Sequence, residues 1–270
     1  MHTPSGASKN LPFDQPSVAR MYDYLLGGYH NVASDRAAAD AAIAIYPDFP
    51  LVLHANRAFL RRSVAFLVAQ GIEQFLDLGS GIPTVGNVHE VAQQVNPAAH
   101  VVYVDVDPIA VTQSTTLLRD NPATAVIQAD VRQPASLLAH PELQRVLDLD
   151  RPLAVLLVAF LHFLPDDVEA ERVVEAVRAA LSPGSYLVLS HATADGAPGA
   201  VLEQLDALYA RTAGGVHRRT HAQIAAFFTG LEMVEPGLVY TPLWRPEDPD
   251  DVLLDQPERS IAFAGVGRRL

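Results

Sequence analysis

Residues 75–84 read Phe75-Leu76-Asp77-Leu78-Gly79-Ser80-Gly81-Ile82-Pro83-Thr84, a short apolar segment that runs directly into two glycines. An apolar run of this length before a glycine turn is typical of a buried strand. The glycines let the backbone turn sharply and approach a ligand closely, because they carry no Cβ. The stretch therefore predicts the first strand of an α/β sheet, with a binding loop at its end.

Strand and helix patterns alternate along the rest of the chain. Further strands are predicted at residues 101–106, 125–127, 153–161, 186–189, 233–240 and 261–266, and no helix separates the last two. Between them, helices are predicted at 85–95, after the cap Asp107-Pro108, at 168–181 and at 220–228. Because such alternation produces parallel strands, we expect an α/β, Rossmann-like, doubly wound and mostly parallel seven-stranded sheet with an antiparallel C-terminal edge.

A different pattern precedes this sheet. Residues 17–70 have apolar side chains at helical spacing, most regularly from Ala58 to Leu67, and Gly71 ends the helix. Residues 1–16 are polar and contain three prolines. We therefore expect a flexible arm at 1–16, an N-terminal helical cap at 17–70 and a ligand-binding domain at 71–270.

The amino-acid composition and the net charge exclude some classes of site and partner. The 270 residues are 49% hydrophobic and include no cysteine, which predicts a globular core without disulfides or thiolate metal sites. A net charge of −12 disfavours a nucleic-acid partner. The longest apolar run, residues 153–161, is far shorter than the roughly 20 residues that a membrane span needs, and the N-terminus does not resemble a signal peptide. We expect a cytoplasmic protein with no membrane partner.

Ligands of open α/β sheets bind past the carboxyl ends of the strands, and acidic residues stand at three of these ends. Asp77 precedes the glycines. Its carboxylate would either bind the ammonium group of a ligand or form a hydrogen bond within the loop. Asp105 stands 24 residues after Gly81, the expected distance for a carboxylate that binds both ribose hydroxyls of an adenosine. Asp107 is instead explained as a helix cap before Pro108. Asp130 would accept a hydrogen bond from an adenine amino group, or form a turn.

Two histidines end later strands and are candidates for a general base. His162 follows the long apolar strand, and His191 ends the fifth strand; either could also be structural. No metal site is predicted, since Asp166 is typical of a helix start and Thr220 separates His217 from His221 as a helix cap. Thr84 stands where a dinucleotide fingerprint requires glycine or alanine, which argues against a nicotinamide cofactor.

Together these motifs resemble the ordered motifs of class I S-adenosylmethionine-dependent methyltransferases, and most closely one family of small-molecule-type S-adenosyl methyltransferases. The resemblance extends from about Pro16 to Arg268. Its segments include 19–28, 56–62, 75–84, 87–91, 161–165, 181–190, 190–193 and 244–246. One departure is Pro83, where many class I enzymes have a third glycine.

The resemblance implies S-adenosyl-L-methionine as the cofactor and assigns residues to its parts. The methionine part would contact Asp77, Gly79, Ser80 and Gly81. The ribose would contact Asp105 and Val106, and the adenine would contact Asp130 and Val131. Ala159 would lie near the sulfonium. Tyr22 and Asn31 are expected as contacts from the helical cap, although a packing role for Tyr22 is an equal alternative.

The implied activity is in-line methyl transfer to a small-molecule acceptor. If the acceptor carries a proton, His162 is the first choice of base and His191 the second. The alternative is a protein that binds S-adenosylmethionine as a sensor or scaffold and transfers nothing. The nicotinamide-dependent oxidoreductase is a third interpretation, which fails at Thr84.

Overall fold

The structure is a computed structural model that describes residues 15–83, 86–196, 198–211, 215–247 and 251–270. Thr84 and Val85 therefore lie outside the described residues. Thr84 is the position that argued against a nicotinamide cofactor, and Val85 is the expected first residue of a helix. Most of the predicted arm, residues 1–14, lies outside them as well.

Three helices occupy most of residues 18–69, as the apolar spacing predicted. They are α1 (Val18–Leu25), α2 (Ala33–Ile45) and α3 (Phe49–Ala69). The third ends before Gly71, whose φ of +86° is a left-handed conformation that glycine adopts without a steric penalty. A later helix, α9 (Gly199–Tyr209), packs against α2, and the four helices share one apolar cluster that includes Met21 and Leu205.

One mixed sheet forms the rest of the framework. Its strands are β1 (Gln74–Leu78), β2 (His100–Asp105), β3 (Thr124–Gln128), β4 (Ala154–Val158), β5 (Tyr186–Ala192), β6 (Glu232–Met233), β7 (Val239–Tyr240) and β8 (Ala262–Arg268). The order is β3-β2-β1-β4-β5-β8-β6, and β7 also pairs with β8. The first five strands are parallel, whereas β8 is antiparallel to β5. The predicted Rossmann-like sheet with an antiparallel edge is confirmed.

The sheet differs from the prediction in the number of strands. Within the described residues it has eight strands rather than seven, because the strand expected at 233–240 is divided into β6 and β7. Pro236 lies between them and cannot donate a ladder hydrogen bond, and Gly237 follows with a φ of +88°. Strand β4 also ends earlier than expected, because Ala159 leaves the extended conformation with a φ of +54°.

The remaining helices begin at the capping residues that the sequence indicated. They are α4 (Val88–Val95), α5 (Pro108–Leu117), α6 (Pro134–Leu138), α7 (Pro141–Val146), α8 (Asp167–Ala180) and α10 (His221–Ala226). The carboxylate of Asp107 accepts a hydrogen bond from the N–H of Ile109 at 2.8 Å, and Asp166 caps α8 in the same way. Thr220 and Gln223 form the predicted capping box of α10. The three cap predictions are confirmed.

Apolar clusters cover both faces of the sheet. Alternate residues of β1 point to opposite faces, so Phe75 packs with residues of α3 and α4 while Leu76 and Leu78 pack with residues of α8. Burial on both faces explains why β4 is apolar throughout. From β1 the chain adds β2 and β3 on one side and then β4 and β5 on the other, so the winding direction reverses between β1 and β4. Sheets of this class bind ligands at such a reversal.

Within the described ranges, no helix combines the length and the apolar character that crossing a membrane requires.

Candidate functional site

The carboxyl ends of β1 to β5 border one cavity of about 670 Å³. Side chains of α1 and α3 line it too, and so do residues 15–17, the described end of the predicted arm. This volume is within the range of pockets that hold drug-sized ligands, roughly 300–1,000 Å³. The predicted site residues that line the cavity are Tyr22, Asp77, Gly79, Ser80, Gly81, Asp105, Val106, Asp130, Val131, Ala159, His162 and His191. Their roles stay predictions.

The glycine loop after β1 is held by backbone hydrogen bonds to β2. The N–H groups of Gly79 and Ser80 both donate to the carbonyl oxygen of Val104, at 2.9 and 3.1 Å. Gly79 has a φ of +72°, and a Cβ there would lie 2.7 Å from Cγ of Phe160 and closer still to Cδ2. Position 79 therefore requires glycine for two independent reasons, its backbone conformation and the ring beside it.

Asp77 is a buried carboxyl group that lines the cavity and accepts no hydrogen bond from any described residue. Burial raises the pKa of Asp77 to about 7; the Arg57 guanidinium opposes this shift and the Asp105 carboxylate adds to it. The sequence left two roles for Asp77, binding an ammonium group or hydrogen-bonding the loop. Among the described residues, no loop N–H donates to its carboxyl group. A buried carboxylate without a donor is costly, which favours a ligand with an ammonium group at this position.

Asp105 is the residue that anchors the loop. Its carboxylate oxygens accept hydrogen bonds from the N–H of Gly81 at 2.7 Å and from the N–H of Asp107 at 2.9 Å. Burial raises its pKa, although these hydrogen bonds oppose the shift. An ionised carboxylate has about four acceptor positions, so two are left for ribose hydroxyls. Asp107 caps α5 and also accepts a hydrogen bond from the hydroxyl of Ser17 at 2.8 Å.

Asp130 has a partner that the sequence analysis did not identify. Its carboxylate pairs with the guanidinium of Arg132, with 2.6 Å between Oδ2 and Nη2, and this hydrogen bonding lowers the pKa of Asp130. Both residues line the cavity together with Val131. The carboxylate is therefore ionised and oriented at the end of β3, where the sequence analysis expected the adenine.

A chain of hydrogen bonds connects the end of β4 to the N-terminal helices. The N–H of Ala159 donates to Oγ of Ser190 at 2.9 Å, and this hydroxyl donates to Oδ1 of Asn56 at 2.6 Å. The amide of Asn56 in turn donates to the hydroxyl of Tyr22 at 2.9 Å. The N–H of Ala159 is thus bonded to Ser190, and Tyr22 has a polar contact in addition to any packing role.

Asn31 is a predicted site residue that the structure places elsewhere. It is absent from the described residues that line the cavity. Its amide donates to Asp23 and to the carbonyl oxygen of Gly28, both at 2.9 Å. The side chain thus holds the loop between α1 and α2, and a cofactor contact at Asn31 stays a prediction.

The two histidines differ in what their ring nitrogens contact. Nδ1 of His191 lies 2.7 Å from the carbonyl oxygen of Ala192, so this nitrogen carries the proton and donates. Nε2 then accepts a hydrogen bond from the Arg219 guanidinium at 2.8 Å. Burial lowers the pKa of His191 to about 3. With both nitrogens committed, His191 has no lone pair for a substrate proton, and we do not retain it as a candidate base.

His162 has one ring nitrogen left for a ligand. The N–H of Ala192 points at Nδ1, at 3.4 Å, so Nδ1 is the nitrogen without a proton and Nε2 carries it. No described residue accepts a hydrogen bond from Nε2. Burial, and then His191 and two arginines, hold the pKa of His162 well below its ordinary value. The neutral ring therefore offers the cavity an N–H donor, whereas the predicted general base would need a lone pair there.

Arg57 is a cavity residue that the sequence analysis quoted in a motif but assigned no role. It lies on α3, close enough to Asp77 to lower the pKa of that carboxyl. One terminal nitrogen donates to Oδ1 of Asn87 at 3.0 Å, and its buried Nε has no partner among the described residues. A carboxylate and a guanidinium that line the same cavity match the ammonium and carboxylate of an amino acid. Sequence spacing gave no indication that α3 would face β1.

His217 and His221 face different partners, as expected from the cap between them. Nε2 of His217 lies 3.1 Å from the Asp167 carboxylate, and Nε2 of His221 lies 3.1 Å from the carbonyl oxygen of Leu238.

The sheet order, the antiparallel β8 and the acidic cavity at the strand ends are those of the Rossmann-like methyltransferase fold. The sequence profile of the S-adenosyl methyltransferase family matches residues 4–270, and the chain belongs to this family. Its cofactor is S-adenosylmethionine.

Several solved structures are similar. A proposed methyltransferase from Thermobifida fusca is 46% identical, with a TM-score of 0.90 over 98% of this chain and 99% of that one. A DUF574 family protein from Streptomyces avermitilis is 41% identical, with the same TM-score over 96% and 99%. An O-methyltransferase family protein from Burkholderia thailandensis shares the fold at 14% identity, with a TM-score of 0.52 over 88% of this chain and 60% of that one. No curated protein matches the sequence.

Proposed function

We propose that this protein transfers a methyl group from S-adenosylmethionine to a small-molecule acceptor, in line with the carbon–sulfur bond. The observation that carries the proposal is the unpartnered, buried Asp77 carboxyl beside Arg57, in a cavity that continues past it to His162 and Tyr209. One end of the cavity thus suits an amino acid, and the other has room for a second molecule.

The cofactor is proposed to bind along the strand ends. Asp77 would accept from its ammonium group and Arg57 would donate to its carboxylate, while Asp105 would accept from the ribose hydroxyls. The adenine would lie by Val106, Asp130 and Val131. Gly79, Ser80 and Gly81 would border the methionine part, and Ala159 the sulfonium.

When bound, S-adenosylmethionine supplies a methyl group on a positively charged sulfur, and transfer breaks the carbon–sulfur bond, whose electrons stay on sulfur. The protein's own contribution is to orient the acceptor and to exclude water. Such positioning lowers a barrier by up to about 7–11 kcal/mol. Tyr22 and residues 15–17 line the cavity from the N-terminal side and are proposed to exclude water.

A labelling experiment tests the proposed function. The protein is incubated with S-adenosylmethionine carrying an isotopic methyl group and a small-molecule fraction of a bacterial extract. We expect S-adenosylhomocysteine to form together with a labelled small molecule. If the cofactor bound tightly but no product formed with many fractions, the result would instead support a sensor or scaffold protein. No separate observation favours that alternative.

Cofactor affinity is expected to depend on pH through Asp77. Only the ionised carboxylate attracts an ammonium group, and its pKa of about 7 leaves it mostly protonated in acid. The affinity for S-adenosylhomocysteine should therefore rise about twentyfold between about pH 5.5 and pH 7.5 and level off above that range. Calorimetric titration measures it, and in Asp77→Asn most of this rise should disappear. A similar rise in the variant would assign the dependence to another group, such as Asp105.

His162 is expected to affect turnover more than cofactor binding. His162→Ala should lower methyl transfer to the extract acceptor at least about tenfold, the size typical of a positioned donor or base. His162→Gln retains an N–H donor but has no basic nitrogen, so it should recover part of this loss if the ring donates. Equal rates for the two variants would support the general base predicted from the sequence, and unchanged rates would remove His162 from the mechanism.

A further inference from the structure

We infer that the end of the cavity past β4 and β5 binds an aromatic carboxylate, with Arg218 as the charge partner of its carboxyl group. This inference names the acceptor class and so rests on the proposed function.

Arg218 is a buried cation at this end of the cavity. It lines the cavity, and only 9% of its side chain is exposed. One terminal nitrogen pairs with the carboxylate of Asp206, which is itself 43% exposed, and its buried Nε has no partner among the described residues. The guanidinium lies close to His162 and to Tyr209, since it lowers the pKa of both. A guanidinium with unused donors is a natural site for a carboxylate.

Tyr209, which lies close to Arg218, belongs to a group of three aromatic rings in the cavity lining. The rings of Phe163 and Tyr209 have centroids 6.4 Å apart, and those of Phe49 and Tyr209 are 6.2 Å apart. All three residues line the cavity. Tilted rings at such spacings favour an aromatic ligand, because ring edges and faces attract one another.

Charges are distributed unequally along the cavity. The carboxylates of the described lining residues are Asp77, Asp105, Asp107 and Asp130, and all lie at or just after the carboxyl ends of β1, β2 or β3. Near Phe163 and Tyr209 the described lining contains Arg218, which carries a positive charge, and the neutral His162, which can donate a hydrogen bond. Nε2 of His162 can therefore donate to a second oxygen of the acceptor. No carboxylate of the described lining lies at this end, and the nearby Asp206, outside the lining, pairs with one terminal nitrogen of Arg218.

Matched pairs of small probes test the inference. Benzoate and benzamide, 2-naphthoate and 2-naphthamide, and indole-3-carboxylate and its amide are titrated by ligand-observed NMR against protein saturated with S-adenosylhomocysteine. We expect at least one carboxylate to bind about tenfold or more tightly than its amide, since hydrogen bonds to a charged group are the stronger ones. The preference should disappear in Arg218→Gln and persist in Arg218→Lys.

Two further variants separate binding from structure. Asp206→Asn removes the ion pair but keeps the guanidinium, so the preference should remain. Arg211→Gln removes an exposed arginine that does not line the cavity and should change nothing. Absence of any carboxylate preference in the wild type, or a preference unchanged in Arg218→Gln, would overturn the inference. Failure of the wild type to bind S-adenosylhomocysteine would instead contradict the proposed function.

Discussion

Replacing Gly79 with alanine is expected to destabilise the protein by about 2–5 kcal/mol and to weaken cofactor binding at least tenfold. The left-handed backbone at this position costs a side chain about 1–2 kcal/mol. The added methyl group would also overlap the Phe160 ring, and overpacking of this kind costs about 1–3 kcal/mol more. Because Phe160 lines the cavity, the displaced ring would enter the space of the ligand. Urea denaturation and calorimetric titration with S-adenosylhomocysteine measure the two effects.

Gly71 provides a matched control for this substitution. Its φ of +86° is similar, but a Cβ there would have no heavy atom within 4 Å. Gly71→Ala should therefore show the backbone cost alone, with unchanged cofactor affinity. A second test is Phe160→Ala in the Gly79→Ala background, which should recover part of the stability by removing the ring. If the two single glycine variants behaved alike, contact with Phe160 would not be the cause.

Arg219→Met is expected to destabilise the protein by about 3 kcal/mol or more and to lower methyl transfer. Arg219 is 1% exposed, and its guanidinium donates to the carbonyl oxygens of Leu161 and Leu164, both at 3.1 Å, and to Nε2 of His191. It also pairs with Asp167 at 2.9 Å. Methionine keeps the apolar stem but removes the donor of the Leu164 carbonyl oxygen and of Nε2 of His191. The Leu161 carbonyl oxygen keeps only its hydrogen bond from the N–H of Leu164, so the short turn that carries His162 loses support.

Arg172→Met is the control for Arg219→Met. Arg172 is 60% exposed, and its ion pair with Glu169 is long, at 3.7 Å. Its removal should change stability by less than about 0.5 kcal/mol. Denaturation in urea compares the variants directly. A loss below about 1 kcal/mol in Arg219→Met would mean that water replaces the lost hydrogen bonds and that the site is less closed than the structure indicates.

Features that depend on neighbours in sequence were predictable. Asp107, Asp166 and Thr220 were identified as helix caps because a cap bonds an N–H two or three residues away. The alternation of strands and helices, which is also read from neighbouring residues, predicted the sheet and its antiparallel edge. The number of strands was not predicted correctly, because Pro236 and Gly237 lie inside a segment that otherwise has strand composition.

Features that depend on distant contacts were missed or misassigned. No local pattern marked Arg57 or Arg219, because their partners are distant in sequence. Arg57 donates to Asn87, and Arg219 donates to Leu161 and His191. The hydrogen bond from the amide of Asn31 to Asp23 was not predicted either, and its expected cofactor contact stays a prediction. The histidines were correctly placed at the cavity, but the available nitrogen of each ring depends on carbonyl and N–H groups that only the folded chain supplies.

The amino-acid sequence by itself determined the order of strands and helices, the glycine loop after β1 and the acidic residues at the strand ends, because hydrophobic periodicity and backbone conformation act over a few residues. Only the tertiary structure decided that Asp77 lacks a partner while Asp105 anchors the loop, that Arg57 joins the site from α3, and that His162 presents a protonated nitrogen. Those properties depend on burial and on hydrogen bonds between residues far apart in the chain, and neither exists until the helices pack onto the sheet.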